Sequence, residues 1–411
     1  MRNRPLASIF LVVFIDLLGF SFILPLLPYY AATFGASPTA VGLLTASYAA
    51  AQFFGAPILG RLSDRYGRKP ILLISIFGTF LGFILLGAAN TLWILFVSRL
   101  LDGLTGGNIS VAQAYISDVT DASNRAKGLG MIGAAFGLGF IFGPALGGFL
   151  SQWGYPVPAF VAGGLSLVNL ALVALWLPES LTAQKRAEIA SGPSRPAFTF
   201  RAMLQSLRRP VVGPILHTRF FFGLAFSMFQ TIFALYAQYR FNLSVEETAY
   251  ILTYVGVLSV LTQGVFIGRL TKRFQENTLI LASTAVMAIS LLGWALSPSV
   301  LTLLIILLPT AVSGGVLNTV INSAATKAVA PNEIGGILGI SSSLESMTRV
   351  IAPSLGGLIL GRLGTSAPGI FGFAILALLV SYIWRTMYTG SQETANQPAI
   401  PTRPSMSELE K

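Results

Sequence analysis

Leu6–Tyr30 reads LASIFLVVFIDLLGFSFILPLLPYY, an apolar run carrying one charge, Asp16. A helix rises about 1.5 Å per residue, so crossing a hydrocarbon core of about 30 Å takes roughly 20 such residues. The apolar core of a signal peptide is only about 7–15 residues long and ends at a small-residue cleavage site. This run is longer, and similar runs follow it along the chain. It reads as a first membrane-spanning helix behind a short basic lead, Arg2 and Arg4.

The rest of the chain repeats the pattern. The same ruler places helices at 7–30, 41–62, 71–89, 91–117, 126–150 and 157–177, then at 211–239, 247–270, 278–297, 299–326, 334–361 and 368–388. The breaks hold turn formers such as Gly35-Ala36-Ser37-Pro38, Gly154-Tyr155-Pro156 and Gly364-Thr365. Lipid gives backbone groups no partner, so spans are helices or a closed barrel, and runs of this length without alternation favour helices. The expected fold class is an all-α integral membrane protein of twelve transmembrane helices in two six-helix bundles. The expected domains are 1–178, an N-terminal bundle; 179–209, a cytoplasmic linker; 210–388, a C-terminal bundle; and 389–411, a disordered cytoplasmic tail rich in Ser, Gln, Pro and Glu.

Composition agrees. Of 411 residues 54% are hydrophobic and only 10% charged, where soluble chains average about 25% charged. Too few charges remain to cover a soluble enzyme. The chain has no cysteine and one histidine, His217. That excludes disulfides, thiolate metal sites and cysteine nucleophiles, and leaves no His pair for zinc. No G-x-x-x-x-G-K-[ST] phosphate loop is present, so neither a nucleotide nor any other cofactor is expected, and no metal. The net charge of +11 reflects topology. All but five of the 26 Lys and Arg fall on one side of the twelve spans, which puts both termini in the cytoplasm under the positive-inside rule. The inner membrane of a cell is the expected location, with no nucleic-acid partner and a monomer expected.

The halves repeat. Gly60-Arg61-Leu62-Ser63-Asp64-Arg65-Tyr66 matches Gly268-Arg269-Leu270-Thr271-Lys272-Arg273-Phe274. Gly143-Pro144-Ala145-Leu146-Gly147-Gly148 matches Ala352-Pro353-Ser354-Leu355-Gly356-Gly357 at nearly the same offset. Internal repeats of this kind build transporters with a site between the repeats.

Three segments carry a family resemblance. Gly60 to Lys69, with Asp64, Arg65, Gly67 and Arg68, resembles the loop signature of the major facilitator superfamily. Gly139-Phe140-Ile141-Phe142-Gly143-Pro144-Ala145-Leu146-Gly147-Gly148 resembles the antiporter signature of its drug:proton antiporter branch. Arg99 followed by Gly103 is similar to that branch's third motif. Phe14 to Pro28, and Ala114 to Thr120, look like parts of tetracycline-type exporters. The extra acids of those exporters in spans 3 and 9 are missing from 71–89 and 278–297, a departure from tetracycline carriers proper. The resemblance implies a gate latch of Gly60, Asp64, Arg65, Gly67, Arg68 and Asp118. It holds the outward-facing state, with Asp64 meeting the start of a helix near Asn332 in the other half. The alternative is that Arg65, Arg68 and Lys69 are topology anchors only. It also implies an inter-bundle role for Gly139, Gly143, Pro144, Gly147 and Gly148, small residues that equally serve close helix packing.

Charges at membrane depth mark function, because each costs about 2.5–3.5 kcal/mol to insert. Asp16 lies near the middle of span 1 with no basic neighbour on its helix, so nothing there offsets the cost of its charge. It is the first expectation for the coupling proton, with Asp102 and Arg99 second. Span 4 is expected to show Arg99, Asp102, Gly106, Ser110, Gln113 and Ser117 on one face. Span 11 holds Glu345 and Arg349 four apart, either a substrate contact or a buried structural pair. Phe20, Tyr48, Gln52, Gln113, Gln230, Asn318 and Asn322 are expected to line a mostly apolar cavity. Arg219 reads as an anchor of span 7, and His217 as an interfacial side chain. The resulting expectation is a secondary transporter exporting an amphipathic, drug-like compound in exchange for protons by alternating access. The alternatives are a proton symporter or uniporter for a sugar or other metabolite, or a transport-inactive sensor. An enzyme is not expected.

Overall fold

The computed structural model describes residues 4–182, 184, 200–330 and 333–389; most of the linker and the C-terminal tail lie outside them. The described residues form helices and no strands. The N-terminal half contains α1 (Arg4–Thr33), α2 (Pro38–Tyr66), α3 (Arg68–Gly87), α4 (Leu92–Thr105), α5 (Asn108–Val119), α6 (Ala122–Leu150) and α7 (Pro156–Trp176). A short helix, α8 (Phe200–Leu207), seats Met203 in the core of the second half. That half contains α9 (Val212–Phe241), α10 (Val245–Arg273), α11 (Glu276–Leu296), α12 (Val300–Lys327), α13 (Ile334–Leu363) and α14 (Ala367–Ile383).

Local chemistry starts and stops these helices. Ser37 caps α2 by accepting from the Ala40 amide at 3.3 Å, with Pro38 in the first turn. Ser244 and Glu247 form a reciprocal capping box on α10, which satisfies amides a helix start leaves unpaired. Among the described residues, ten helices are long and apolar enough to cross a membrane. The broken pair α4–α5 and the 30-residue α13, which carries Glu345 and Arg349, stand beside them, an arrangement that fits the expected twelve.

Spans 4 and 8 are interrupted within their length. Span 4, expected to run unbroken over 91–117, stops at Thr105 and restarts at Asn108. Gly106 and Gly107 are adjacent poor helix formers, each costing about 1 kcal/mol relative to Ala. The break frees carbonyls that side chains then take up: Gln52 Nε2 donates to Gly106 O at 2.9 Å, and Ser75 Oγ donates to Thr105 O. The expected single polar face from Arg99 to Ser117 is therefore interrupted at its middle. In α10 a π-turn occupies Thr262–Phe266 around Gly264.

Two seams join the halves: α2 against α13, and α6 against α10. Both depend on absent side chains. A Cβ on Gly42 would fall 2.3 Å from Pro353 O, one on Gly357 2.5 Å from Pro38 O, and one on Gly148 2.4 Å from Ala249 Cβ. Gly148 and Gly357 belong to the two copies of the repeated motif, so the repeat builds both seams by one device, small residues permitting close helix approach. Hydrogen bonds between the halves gather at the end of the bundle away from the basic loops. There Tyr29 Oη lies 2.7 Å from Thr248 Oγ1 and donates to Leu243 O at 2.9 Å. At the basic end the facing helices stand free: a Cβ on Gly130, Gly133, Gly264, Gly268, Gly335, Gly336 or Gly339 would meet nothing within 4 Å. The molecule is shut at one end and splayed at the other.

Candidate functional site

At membrane depth the N-terminal half carries Arg99 and Asp102, both almost fully buried, their Nη1 and Oδ2 3.2 Å apart. Thr79 hydrogen-bonds the Asp102 carboxylate, and the Arg99 guanidinium lies 5.7 Å from the centre of the Phe83 ring. Arg99 Nε and Nη2 are buried without a hydrogen-bond partner. Asp16 sits close enough to Asp102 for their charges to interact, is half-buried, and is hydrogen-bonded by Asn108. The break in span 4 puts Asn108 there, at the first residue of α5. Beside them Tyr48 Oη accepts from Gln52 Nε2 at 3.1 Å, and the Phe20 and Tyr48 rings lie 5.2 Å apart. Sequence reasoning missed Asn108; its signal was an amide next to a Gly-Gly pair inside a span.

The C-terminal half answers with a cluster of the opposite sign. Arg219, buried on α9, donates from Nη1 to Asn318 Oδ1 at 2.8 Å and from Nη2 to Glu345 Oε2. Arg349 Nη2 donates to Glu345 Oε1 at 2.8 Å. One carboxylate thus serves two guanidiniums. Arg219, read as an anchor of span 7, lacks an acid on its own helix, and α13 supplies one. Asn322 Oδ1 accepts from Ser341 one turn earlier on α13, at 3.4 Å. Across the gap, Arg349 is near enough for its charge to act on the Tyr48 hydroxyl, as do Asp16, Asp102 and Arg99. Gln113 on α5 and Gln230 on α9 are exposed and stand outside both clusters. His217 pairs with Tyr382 Oη at 2.9 Å, within its own half.

The basic loop between α2 and α3 is built around Arg68, which is 3% exposed. Arg68 Nη1 lies 2.7 Å from Asp64 Oδ1, and its Nε donates to Asp118 Oδ2 at 3.0 Å. Ser63 and Ser180 complete the ring, the first accepting from Arg68 and the second donating to Asp118. Gly67 turns the chain at φ 108, where a Cβ would lie 2.5 Å from Glu179 Oε2. Glu179 accepts from the Arg68 and Lys69 amides at 2.9 and 3.1 Å, so its carboxylate sits on the positive end of α3. Sequence reasoning assigned Glu179 to the linker and missed this. A Cβ on Gly60 would come no closer than 4.0 Å to any side chain, the nearest being Ser110 Oγ, and Arg65 lies outside the ring with its guanidinium over Tyr66. Asp64 is engaged within its own half; Asn332 lies outside the described residues. Near the start of α13, Glu333 pairs with Arg209 at 3.0 Å, and that guanidinium holds its carboxyl below the usual range.

The glycines of α6 divide their work. Gly139, Gly143 and Gly147 bring the helix onto α1 at Leu17, Ser21 and Phe22, while Gly148 and the backbone near Phe140 meet α10. Pro144 is accommodated inside the continuous helix. Among the described residues no group of three or more His, Asp or Glu could hold a metal.

Comparison with known proteins fits this architecture. The family description Major Facilitator Superfamily matches residues 9–307 and 218–407. The class H tetracycline resistance protein of Pasteurella multocida is 31% identical over 97% of this chain and 100% of its own length. Solute carrier family 22 member 18 of Mus musculus is 30% identical over 90% and 93%. In three dimensions the chain is similar to a bacterial homologue of the human lysosomal transporter Spinster in an inward-facing and occupied conformation, with a TM-score of 0.76 at 15% identity, over 94% of this chain and 98% of that one. With membrane-length helices in two seamed halves and a charge cluster buried in each, the chain is a membrane transporter, not an enzyme, and belongs to the major facilitator superfamily.

Proposed function

We propose that the protein is a secondary exporter that moves an amphipathic organic compound out of the cytoplasm in exchange for protons. It sits in the cell membrane with both termini inside and works as a monomer. The observation that carries this reading is an acid without a basic partner, Asp16, half-buried at mid-depth beside a gap closed at one end and open at the other. Burying a charge there is costly, so exchange of a proton at Asp16 changes the energy of closing the halves around it. The proton and the substrate then act on one equilibrium, and their effects on each other's binding are reciprocal. The relatives named as tetracycline and multidrug resistance proteins support a drug-like substrate. The open basic end is the cytoplasmic side, and the Arg68 ring acts as the latch that engages the other half when that side shuts. A transmembrane potential supplies about 2.3 kcal/mol per charge per 100 mV.

The test uses purified protein in liposomes holding a pH-sensitive dye, an imposed proton gradient, and a panel of amphipathic drugs that includes tetracycline. Substrate-triggered proton movement is expected in the wild type and is expected to vanish in Asp16→Asn. Unchanged coupling in the variant moves the proton role to Asp102. Absence of proton movement with every compound sinks the antiport reading.

A further inference from the structure

We infer that the preferred substrate is a zwitterionic amphiphile, held with its cationic end at Asp16 and its anionic end at Arg349. This rests on the exporter reading above and adds the charge pattern of the substrate to it.

The charges at membrane depth are unequal on the two sides of the gap. The N-terminal half holds two acids, Asp16 and Asp102, against one arginine, Arg99; the C-terminal half holds two arginines, Arg219 and Arg349, against one acid, Glu345. Within each cluster one arginine is buried and ion-paired to an acid of its own half. Arg99 pairs with Asp102, and both are buried. Arg219 is nearly buried, with Nη1 on Asn318 and Nη2 on Glu345. The unspent charge is on the more exposed member in each case. Asp16 retains open surface and is bound only by the neutral Asn108. Arg349 is 52% exposed in its side chain, and only its Nη2 is engaged, by a carboxylate already shared with Arg219. Its remaining donors form a planar fork suited to a carboxylate or sulfonate.

The two unspent charges face a common wall. The Tyr48 ring lies 5.2 Å from Phe20, one turn beyond Asp16 on α1, and the α2–α13 seam that sets Gly42 against Pro353 brings Tyr48 alongside the turn of α13 that carries Arg349. A ligand reaching from one to the other passes over these aromatic faces, so an apolar body between its charged ends fits the surface between them. A bound zwitterion neutralises both unspent charges without adding net charge at mid-depth. Its cationic end also competes with the proton for Asp16, which is the relation an antiporter needs. A simple anion lacks that competition, because protonating Asp16 would favour its binding.

Four matched probes separate the possibilities: 6-(aminomethyl)-2-naphthoic acid, its N-acetyl derivative, its methyl ester, and the doubly capped neutral form, each also made with an aminobutyl arm. Binding to the purified full chain is followed by naphthalene fluorescence. The free amino acid is expected to bind at least about tenfold more tightly than any capped form. Arg349→Gln should erase the advantage of the free carboxylate and leave the methyl ester unchanged, which also shows that the variant is folded. Arg349→Lys should restore part of it, and Asp16→Asn should erase the advantage of the free amine only. Equal binding of the neutral form, or a carboxylate advantage that survives Arg349→Gln, overturns the inference. Proton movement driven by the methyl ester alone, in wild type and Arg349→Gln alike, would leave the antiport reading standing and this inference fallen. The expected binding pattern without proton movement would do the reverse.

Discussion

Arg68 shows how much one side chain can organise. It closes a ring with Asp64, Asp118 and Ser63 while its own amide is held by Glu179. Removing one partner of a buried ion pair leaves the others uncompensated, at about 3–5 kcal/mol, and the partial exposure of both acids places Arg68→Gln near about 3 kcal/mol. The thermal unfolding midpoint should fall accordingly. Arg68→Lys should recover little, since an ammonium lacks the spread of donors that reaches three partners. Gly67→Ala puts a Cβ at a backbone angle nearly restricted to glycine and against Glu179; about 1–3 kcal/mol of destabilisation is expected in the same assay. At this scale the sequence was readable wherever a charge stood in an apolar run. Asp16, Arg99, Asp102, Glu345 and Arg349 stood out because each is costly in lipid. Asn108 and Glu179 did not stand out. One is neutral, and the other lies just beyond a span, where acids are ordinary.

The helices carry the next level. Length and hydropathy located them to within a few residues, because a helix must match the thickness it crosses. They did not reveal the interruption at Gly106, since hydropathy is blind to backbone carbonyls that Gln52 and Ser75 satisfy from neighbouring helices. Nor could the glycines of α6 be divided by sequence alone between α1 and α10; which way each faces depends on how the helix is turned. The seam between α2 and α13 yields a sharp test. At Gly42 a new side chain meets backbone, which cannot swing aside. Overpacking costs about 1–3 kcal/mol, charged entirely to the state with that seam shut. Gly42→Leu should therefore shift the population towards the opposite conformation by about fivefold or more. Labelling of single cysteines introduced at the two ends would report it, with the basic end becoming less reactive and the far end more so.

For the whole molecule, the repeat was legible as a paired motif at a near-constant offset, and the structure shows why it matters: each copy supplies one seam. The state of the gap was not legible, because one sequence must support both an open and a shut arrangement. A reversible lock tests whether the far end has to open during transport. A Cβ at position 361 lies 3.3 Å from Thr39 Oγ1 and 3.6 Å from Pro38 Cβ, a spacing suited to a disulfide. Since the chain has no native cysteine, Thr39→Cys with Gly361→Cys forms the only possible bridge. Oxidation should stop transport and reductant should restore it; full activity in the oxidised form would show that this end never parts.

The grip of Glu179 and Ser180 on the N-terminal half also alters what the connecting chain can do. The tether between the halves begins only after these residues, near Thr182, and ends where α8 begins at Phe200. Fully extended at about 3.5 Å per residue, such a leash reaches roughly 60 Å, about twice the thickness of the hydrocarbon it lies beside. A cord that long sets no limit on how far the basic end can spread. The travel of the two halves is bounded by the glycine-lined fulcrum at the other end, and trimming several residues from the leash should leave the stroke intact.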